Sequence, residues 1–367
     1  MPLTPDERLL LRSQCTRIVP GFLLTKPADE FRAMGEWCEE NAIEHDVYGQ
    51  GPLIESFEAR IAALLGKEAA IFMPSGVMAQ LIALKLYSQR AGTTRIGLHP
   101  SSHLLGHEEQ AFAALLGLEC RPIGEYYRVL EARDLVPVCE RLAALVVELP
   151  IREAGGQLPG WEDLEALKEA ARQRGLPLHM DGARLWESTP FYGRSPDAIA
   201  VGFESVYVSM YKGVGGLAGA VLAGAPEWIA EARIWRRRMG GTLVHQSPMI
   251  VSAARRLDAR LELMPLLYRR AVELARALNA VPGLKTLPEV PQTNMFHLYF
   301  ASPAPAVEEE RDRLAEEHKV WLVGGVKSAE VPGWSKAELT VGDQVLGLSD
   351  DELAPLFGQL VGGSPAP

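Results

Sequence analysis

The chain has 367 residues, 47% hydrophobic and 23% charged, enough to bury a large core and to divide into a large and a small domain. Its formal net charge of -10 argues against nucleic acid or an anionic membrane surface as the main partner. Four scattered cysteines, Cys15, Cys38, Cys120 and Cys139, form no CxxC pair, and no histidines cluster at zinc spacing, so neither a disulfide frame nor a metal site is expected.

The N-terminal string MPLTPDERLLLRSQC carries acidic residues and no long apolar core, so it does not read as a signal peptide. No apolar run approaches membrane-spanning length, and the expected compartment is the cytoplasm. SFEARIAALLG (56–66) has helical spacing and a glycine stop at Gly66. AAIFM (69–73) is a short apolar run ending at Pro74-Ser75-Gly76, after which VMAQLIALKLYSQR is helical again. RIGL (95–98) precedes a polar turn, Pro100 to His103, and a helix containing EEQAFAALLG. ALVVEL (144–149) reads as a buried strand, followed by the helix WEDLEALKEAARQRG.

A further run, Gly175 to Met180, leads into Asp181, and the run Ser205 to Met210 leads into Lys212 and its glycines Gly213, Gly215 and Gly216. AGAVLAG completes a strand–helix alternation that implies a mostly parallel sheet wrapped by helices, an α/β fold. A long helix from about Pro248 to Asn279 leaves this region. An α+β segment follows: NMFHLYF alternates like a strand, AVEEERDRLAEEH is helical, and AELTV and the helix DDELAPLFGQL close the chain. The tail GGSPAP is expected to fray. These elements suggest three segments. Residues 1–45 form an N-terminal piece packing with the small domain, 46–255 a large cofactor-binding domain, and 256–367 a small α+β domain.

Asp181 and Lys212 at neighbouring strand ends are what pyridoxal 5'-phosphate requires. The lysine holds the aldehyde as a Schiff base, and the carboxylate keeps the pyridine nitrogen protonated. Ser75 and Gly76, on a strand-to-helix turn, would offer N–H groups and a helix dipole to the cofactor phosphate. His103, past another strand end, could stack on a flat aromatic ring. Each feature has a plainer reading alone: a salt-bridged pair, a tight turn, a loop histidine bonded to backbone. All four occur in chain order, each after a strand, where parallel sheets bind ligands. Arg236 to Arg238 could reach a phosphate or an acidic partner, or could form a solvated helix end.

In these strings the sequence resembles the threonine aldolase and aromatic β-eliminating lyase group, within the fold of the aspartate aminotransferases. The resemblance runs from TKPADEFRAM (25–34) through residues 46–80 and includes Ser102, His103, Glu108, Gly155 and Gly156. It continues through HMDGARLW, YKGVGG, RRRMGG (236–241) and QTNMF (292–296). It implies Lys212 as the Schiff-base lysine, Asp181 as the partner of the ring nitrogen and His103 as the stacking residue. Ser75, Gly76 and Val77 would be the phosphate turn, with Val77 where the family usually has threonine, and Arg184 would lie near the ring hydroxyl and the substrate carboxylate. It also implies a homodimer or homotetramer with active sites at the interfaces.

The implied reaction is retro-aldol cleavage of a β-hydroxy-α-amino acid to glycine and an aldehyde. Lys212, His103 and Glu108 are the candidate catalytic residues, with His107 or His245 as further proton carriers. Three positions depart from the family pattern. Its E-N-T-H string reads ELPI here, so Glu148 stands but Ile151 replaces a histidine that handles the β-hydroxyl. A carboxylate-contacting serine aligns with Gly21, and a carboxylate-binding arginine aligns with Glu338. These departures favour another reaction on the same cofactor, β-elimination or racemisation. A cofactor-binding protein with little catalysis is the reading from a different class.

Overall fold

The computed structural model describes residues 3–21 and 25–362. The tail expected to fray lies, beyond Gly362, outside the described residues. The chain forms two compact units. The larger comprises Thr25–Glu153 and Leu158–Leu263; the smaller comprises Met1–Leu24, Ala154–Gln157 and Met264–Pro367.

The larger unit is built on a seven-stranded sheet. Its strands lie in the order Ala69–Met73, Ala220–Gly224, Ser205–Ser209, Leu178–Gly182, Leu145–Glu148, Arg95–Leu98 and Glu119–Pro122. Ala220–Gly224 alone runs against its neighbours, so the sheet is mostly parallel, as the strand–helix alternation predicts. The central strands are buried on both faces, which explains why they read as unbroken apolar runs rather than alternating ones.

The helix Gly76–Ala91 covers one face, packing Leu81, Ile82 and Leu84 into a core shared with Ile71, Ile96 and Leu222. Ser75 caps it, accepting the Met78 N–H at 3.2 Å, and Gly92 ends it in the left-handed conformation at φ 65°.

One helix differs from expectation. The helix predicted to contain EEQAFAALLG is broken into His103–Gly106 and Ala111–Leu116, because Glu109 and Gln110 take positive φ values of 49° and 52°. The break turns Glu108 back toward His103, whose Nδ1 donates to it at 3.0 Å. A side-chain hydrogen bond outweighs helix propensity here.

The smaller unit carries an antiparallel sheet in the order Lys327–Ser328, Ser335–Thr340, Met295–Phe300 and Leu284–Leu287. Helices Ala304–His318 and Asp350–Gly362 contribute Leu314 and Phe357 to a core with Phe296, Phe300 and Leu339. Arg17–Ile18 pairs in parallel with Val320–Trp321. Gly155 must be glycine: its φ is 77°, and a Cβ there would meet the Leu287 carbonyl oxygen at 2.0 Å.

The long helix Ser247–Asn279 spans 33 residues. Fully buried Asp46 holds its start by accepting the N–H groups of Gln246 and Ser247, each at 2.7 Å, and that of Gly49 at 3.3 Å. Removing this acceptor leaves buried donors without a partner. Asp46→Ala is expected to cost about 2 kcal/mol in urea unfolding, and Asp46→Asn distinctly less. Equal stability of Asp46→Ala and the wild type would show that these bonds hold nothing.

Candidate active site

The cleft at the C-terminal ends of the parallel strands is lined by Gly76, Val77, His103, Glu148, Asp181 and Lys212, with Glu108, Arg184, Tyr207 and Tyr211 beside them. Parallel register explains much of this convergence. Glu148, Asp181 and Tyr207 are direct partners on three adjacent strands, so their side chains share one face. Lys212 follows the strand Ser205–Ser209 and Arg184 precedes the helix Leu185–Tyr192, which brings both to the same edge.

Burial sets the electrostatics. Asp181 is 3% exposed, and desolvation raises its pKa above the usual carboxylate range, opposed first by the charge of Lys212. Desolvation lowers the Lys212 pKa, assisted by the positive charge of Arg184 and opposed by Asp181, Glu148 and Glu187. Burial and the neighbouring Asp181 charge push Glu148 up to about 7. The Glu148 oxygens accept the backbone N–H groups of His103 and Arg152, both at 3.1 Å. Each buried charge is thus costly alone and is favoured by an opposite charge.

Of the residues singled out from sequence, Ser75 stands at the N-terminus of the helix Gly76–Ala91, and Gly76 and Val77 line the cleft. Glu108 is 9% exposed and fixes the His103 ring through Nδ1. His107 donates to Glu153 at 2.7 Å, and its ring lies 5.0 Å from that of His103. His245 belongs to another arrangement: it donates to the Asp46 carbonyl at 2.6 Å and stacks on His45. Arg236 is buried and donates to the Phe72 carbonyl at 2.8 Å, whereas Arg237 and Arg238 are exposed at the helix end. Ile151 is buried. Gly21 and Glu338 lie in the smaller unit. Gly21 donates to the Thr340 carbonyl at 2.8 Å, and Glu338 sits opposite His297 in the sheet.

Sequence reasoning missed Tyr207, Tyr211 and Glu187. Tyr207 read as one more apolar strand residue, yet a Cβ at position 76 would lie 2.1 Å from its hydroxyl. Only glycine there admits the phenol to the cleft. Glu187 lay inside a helix, and only its place one turn beyond Arg184 hinted that it faces the same way. A larger hollow of about 950 Å³ opens among Arg90, Arg141, Arg174 and Trp228, and none of the residues singled out reaches it.

Comparison with known proteins converges on one family. The model of the β-eliminating lyases matches residues 24–302. Low-specificity L-threonine aldolase 1 of Arabidopsis thaliana is 26% identical over 315 residues, covering 83% of this chain and 87% of that protein. The low specificity L-threonine aldolase of Escherichia coli K12 is 31% identical over 242 residues, covering 63% and 69%. Among solved structures, a Listeria monocytogenes protein provisionally assigned as an L-allo-threonine aldolase superposes with a TM-score of 0.89 at 37% identity, covering 96% of this chain and 98% of that one.

The raised Glu148 pKa has a measurable consequence. The folded protein binds this proton more tightly than the unfolded chain, whose value is near 4.5. The associated stability is fully present below that value and is lost as pH rises through about 7. Urea midpoints of the cofactor-free protein between about pH 5 and 8 should therefore fall with rising pH, and fall less steeply in Glu148→Gln. An unchanged slope in that variant would show that Glu148 does not titrate in this range.

Proposed function

This chain belongs to the β-eliminating lyase family, and on that premise we propose that it is a pyridoxal-phosphate lyase cleaving a β-hydroxy-α-amino acid such as threonine to glycine and an aldehyde. The single observation carrying this reading is the placement of buried Asp181 and half-buried Lys212 at one strand edge, each driven away from its charged form.

The residues fit the cofactor. The Asp181 carboxylate accepts the Ala183 N–H at 3.1 Å, and burial makes it a strong acceptor for a cationic ring nitrogen. Lys212, with its ammonium disfavoured, offers the neutral amine that bonding to an aldehyde carbon requires. Ser75, Gly76 and Val77 open a 16-residue helix, whose first-turn N–H groups suit a phosphate. When bound, pyridoxal phosphate supplies an electron sink for the bond broken at the substrate Cα.

The chain's own groups supply orientation and proton transfer. Glu108 accepts a hydrogen bond from His103 Nδ1–H, which fixes the ring and turns Nε2 to the other side as the acceptor. His103, which would hold its ring against the bound cofactor, would accept the β-hydroxyl proton as the Cα–Cβ bond breaks and the aldehyde forms. Lys212 would hold the aldehyde carbon of the cofactor and, once its amine is freed, would supply the proton that Cα needs before glycine leaves. Arg184, at the start of its helix, supplies positive charge near the substrate carboxylate.

Buried Ile151 can neither accept nor donate a proton, and this favours β-elimination or racemisation as the second reading. We extend the first reading to a homodimer or homotetramer with shared active sites, and to a cytoplasmic location. No described helix is long and apolar enough to cross a membrane. Sedimentation of the holoenzyme tests the assembly, and a monomer at micromolar concentration would refute it.

Two outcomes test the chemistry. The holoenzyme should release acetaldehyde and glycine from threonine in equal amounts, and Lys212→Ala should lose at least about 10³-fold in kcat. Ammonia and a keto acid as products, or scrambled stereochemistry without cleavage, would favour the second reading instead. His103→Phe, which keeps a ring but no proton acceptor, should lower kcat by about 10²- to 10⁴-fold while cofactor affinity changes little. Unchanged kcat would remove His103 from proton transfer.

A further inference from the structure

None of the roles above uses Glu187, although it is built into the same machinery. It lies in the first turn of the helix Leu185–Tyr192 and is 3% exposed. Its carboxyl is pressed against the residue that follows Lys212. A Cβ added at Gly213 would lie 2.5 Å from Glu187 Cδ and Oε1 and 2.8 Å from Oε2, so any larger residue at 213 would push this carboxyl aside. The Gly213 carbonyl accepts from Arg260 Nε at 3.0 Å, so residue 213 is held from one side by Arg260 and from the other by the Glu187 carboxyl.

One carboxyl oxygen remains unaccounted for. Glu187 Oε2 is shielded from solvent and has no hydrogen-bond partner, a state that folded proteins rarely tolerate without a reason. The positive charges facing Glu187 are Arg184 and Lys212. Lys212 in turn faces Arg184, Asp181, Glu148 and Glu187. Among these carboxyls, both oxygens of Glu148 already accept backbone N–H groups, and Asp181 serves the ring nitrogen in the reading above. The open oxygen of Glu187 is the one left over.

We infer that Glu187 is a positioning residue for Lys212: its carboxyl fixes the lysine's turn at Gly213, and Oε2 receives the Lys212 ammonium while the lysine is not bonded to the cofactor. The inference rests on Lys212 being the cofactor lysine. It deepens that reading by giving the released amine a defined resting place, from which it can return its proton to the substrate. Burial raises the Glu187 pKa, while Arg184, Lys212 and two backbone N–H groups oppose that rise. The pair is thus mutually stabilising: a charged Lys212 favours a charged Glu187, and the reverse.

The test uses the cofactor-free protein, so its readout does not depend on turnover. Competitive acetylation with acetic anhydride across pH, read by mass spectrometry at the Lys212 peptide, gives the pH midpoint of this amine. Glu187→Gln removes the charge without changing the shape and should lower the midpoint by about one unit or more. Gly213→Ala, which forces the carboxyl aside, should lower it in the same direction. It also keeps the inference testable if Glu187→Gln fails to fold. A merely structural Glu187 would lower the unfolding midpoint without moving that of the lysine, and such a result in a folded variant overturns the inference. Borohydride reduction of the wild-type holoenzyme separates the two levels. Absence of a cofactor adduct on Lys212 would sink the functional reading, whereas a shifted midpoint without that adduct would leave only the Glu187–Lys212 coupling standing.

Discussion

Two opposite charges, a buried carboxylate and a half-buried amine at adjacent ends of parallel strands, are the constraint on which the site depends. Asp181 is carried on a strand buried along its whole length, and half-buried Lys212 stands three residues past the end of another such strand, so both are held at one edge of the sheet. Each is driven toward its neutral form by desolvation and partly restored by the other. The surrounding groups follow from that tension. Glu148 stands in register with Asp181 and is held protonatable near neutrality. Glycines at positions 76 and 213 admit the phenol of Tyr207 and the carboxyl of Glu187 into spaces that any side chain would close.

The fold was largely legible because the parallel sheet writes itself as unbroken apolar runs, and the polar residues that interrupt those runs mark the strand ends. Asp181, Lys212, His103 and the Ser75-Gly76 turn were found in this way. Residues placed at or beside the cleft from inside regular elements left no such mark. Tyr207 is spelled like a core residue, and Glu187 like the polar face of a short helix. Only the three-dimensional requirement for glycine at 76 and 213 exposes them. The break before Ala111 was illegible for a related reason. EEQAFAALLG has good local helix propensity, and the hydrogen bond from His103 to Glu108 that overrides it joins side chains five residues apart.

The substrate side is less conventional than the cofactor side. Ile151 is packed in the core, so no proton carrier stands at that position. Gly21 and Glu338 both lie in the smaller unit, where Gly21 bonds the strand that carries Glu338. Proton-handling groups in the larger unit include His103 with Glu108, His107 with Glu153, Lys212 with Glu187, and Glu148. On the proposed reading, electron withdrawal would come from the cofactor and these acids and bases would select the bond that breaks.

A crystal structure of the holo-protein is the most direct measurement. Continuous density should join Lys212 Nζ to the cofactor, with an Asp181 carboxylate oxygen about 2.8 Å from the ring nitrogen and the phosphate against the first turn of the helix Gly76–Ala91. Cofactor density anywhere else, including the hollow beside Trp228, or a ring nitrogen with no carboxylate beside it, would contradict the assignment of this pair.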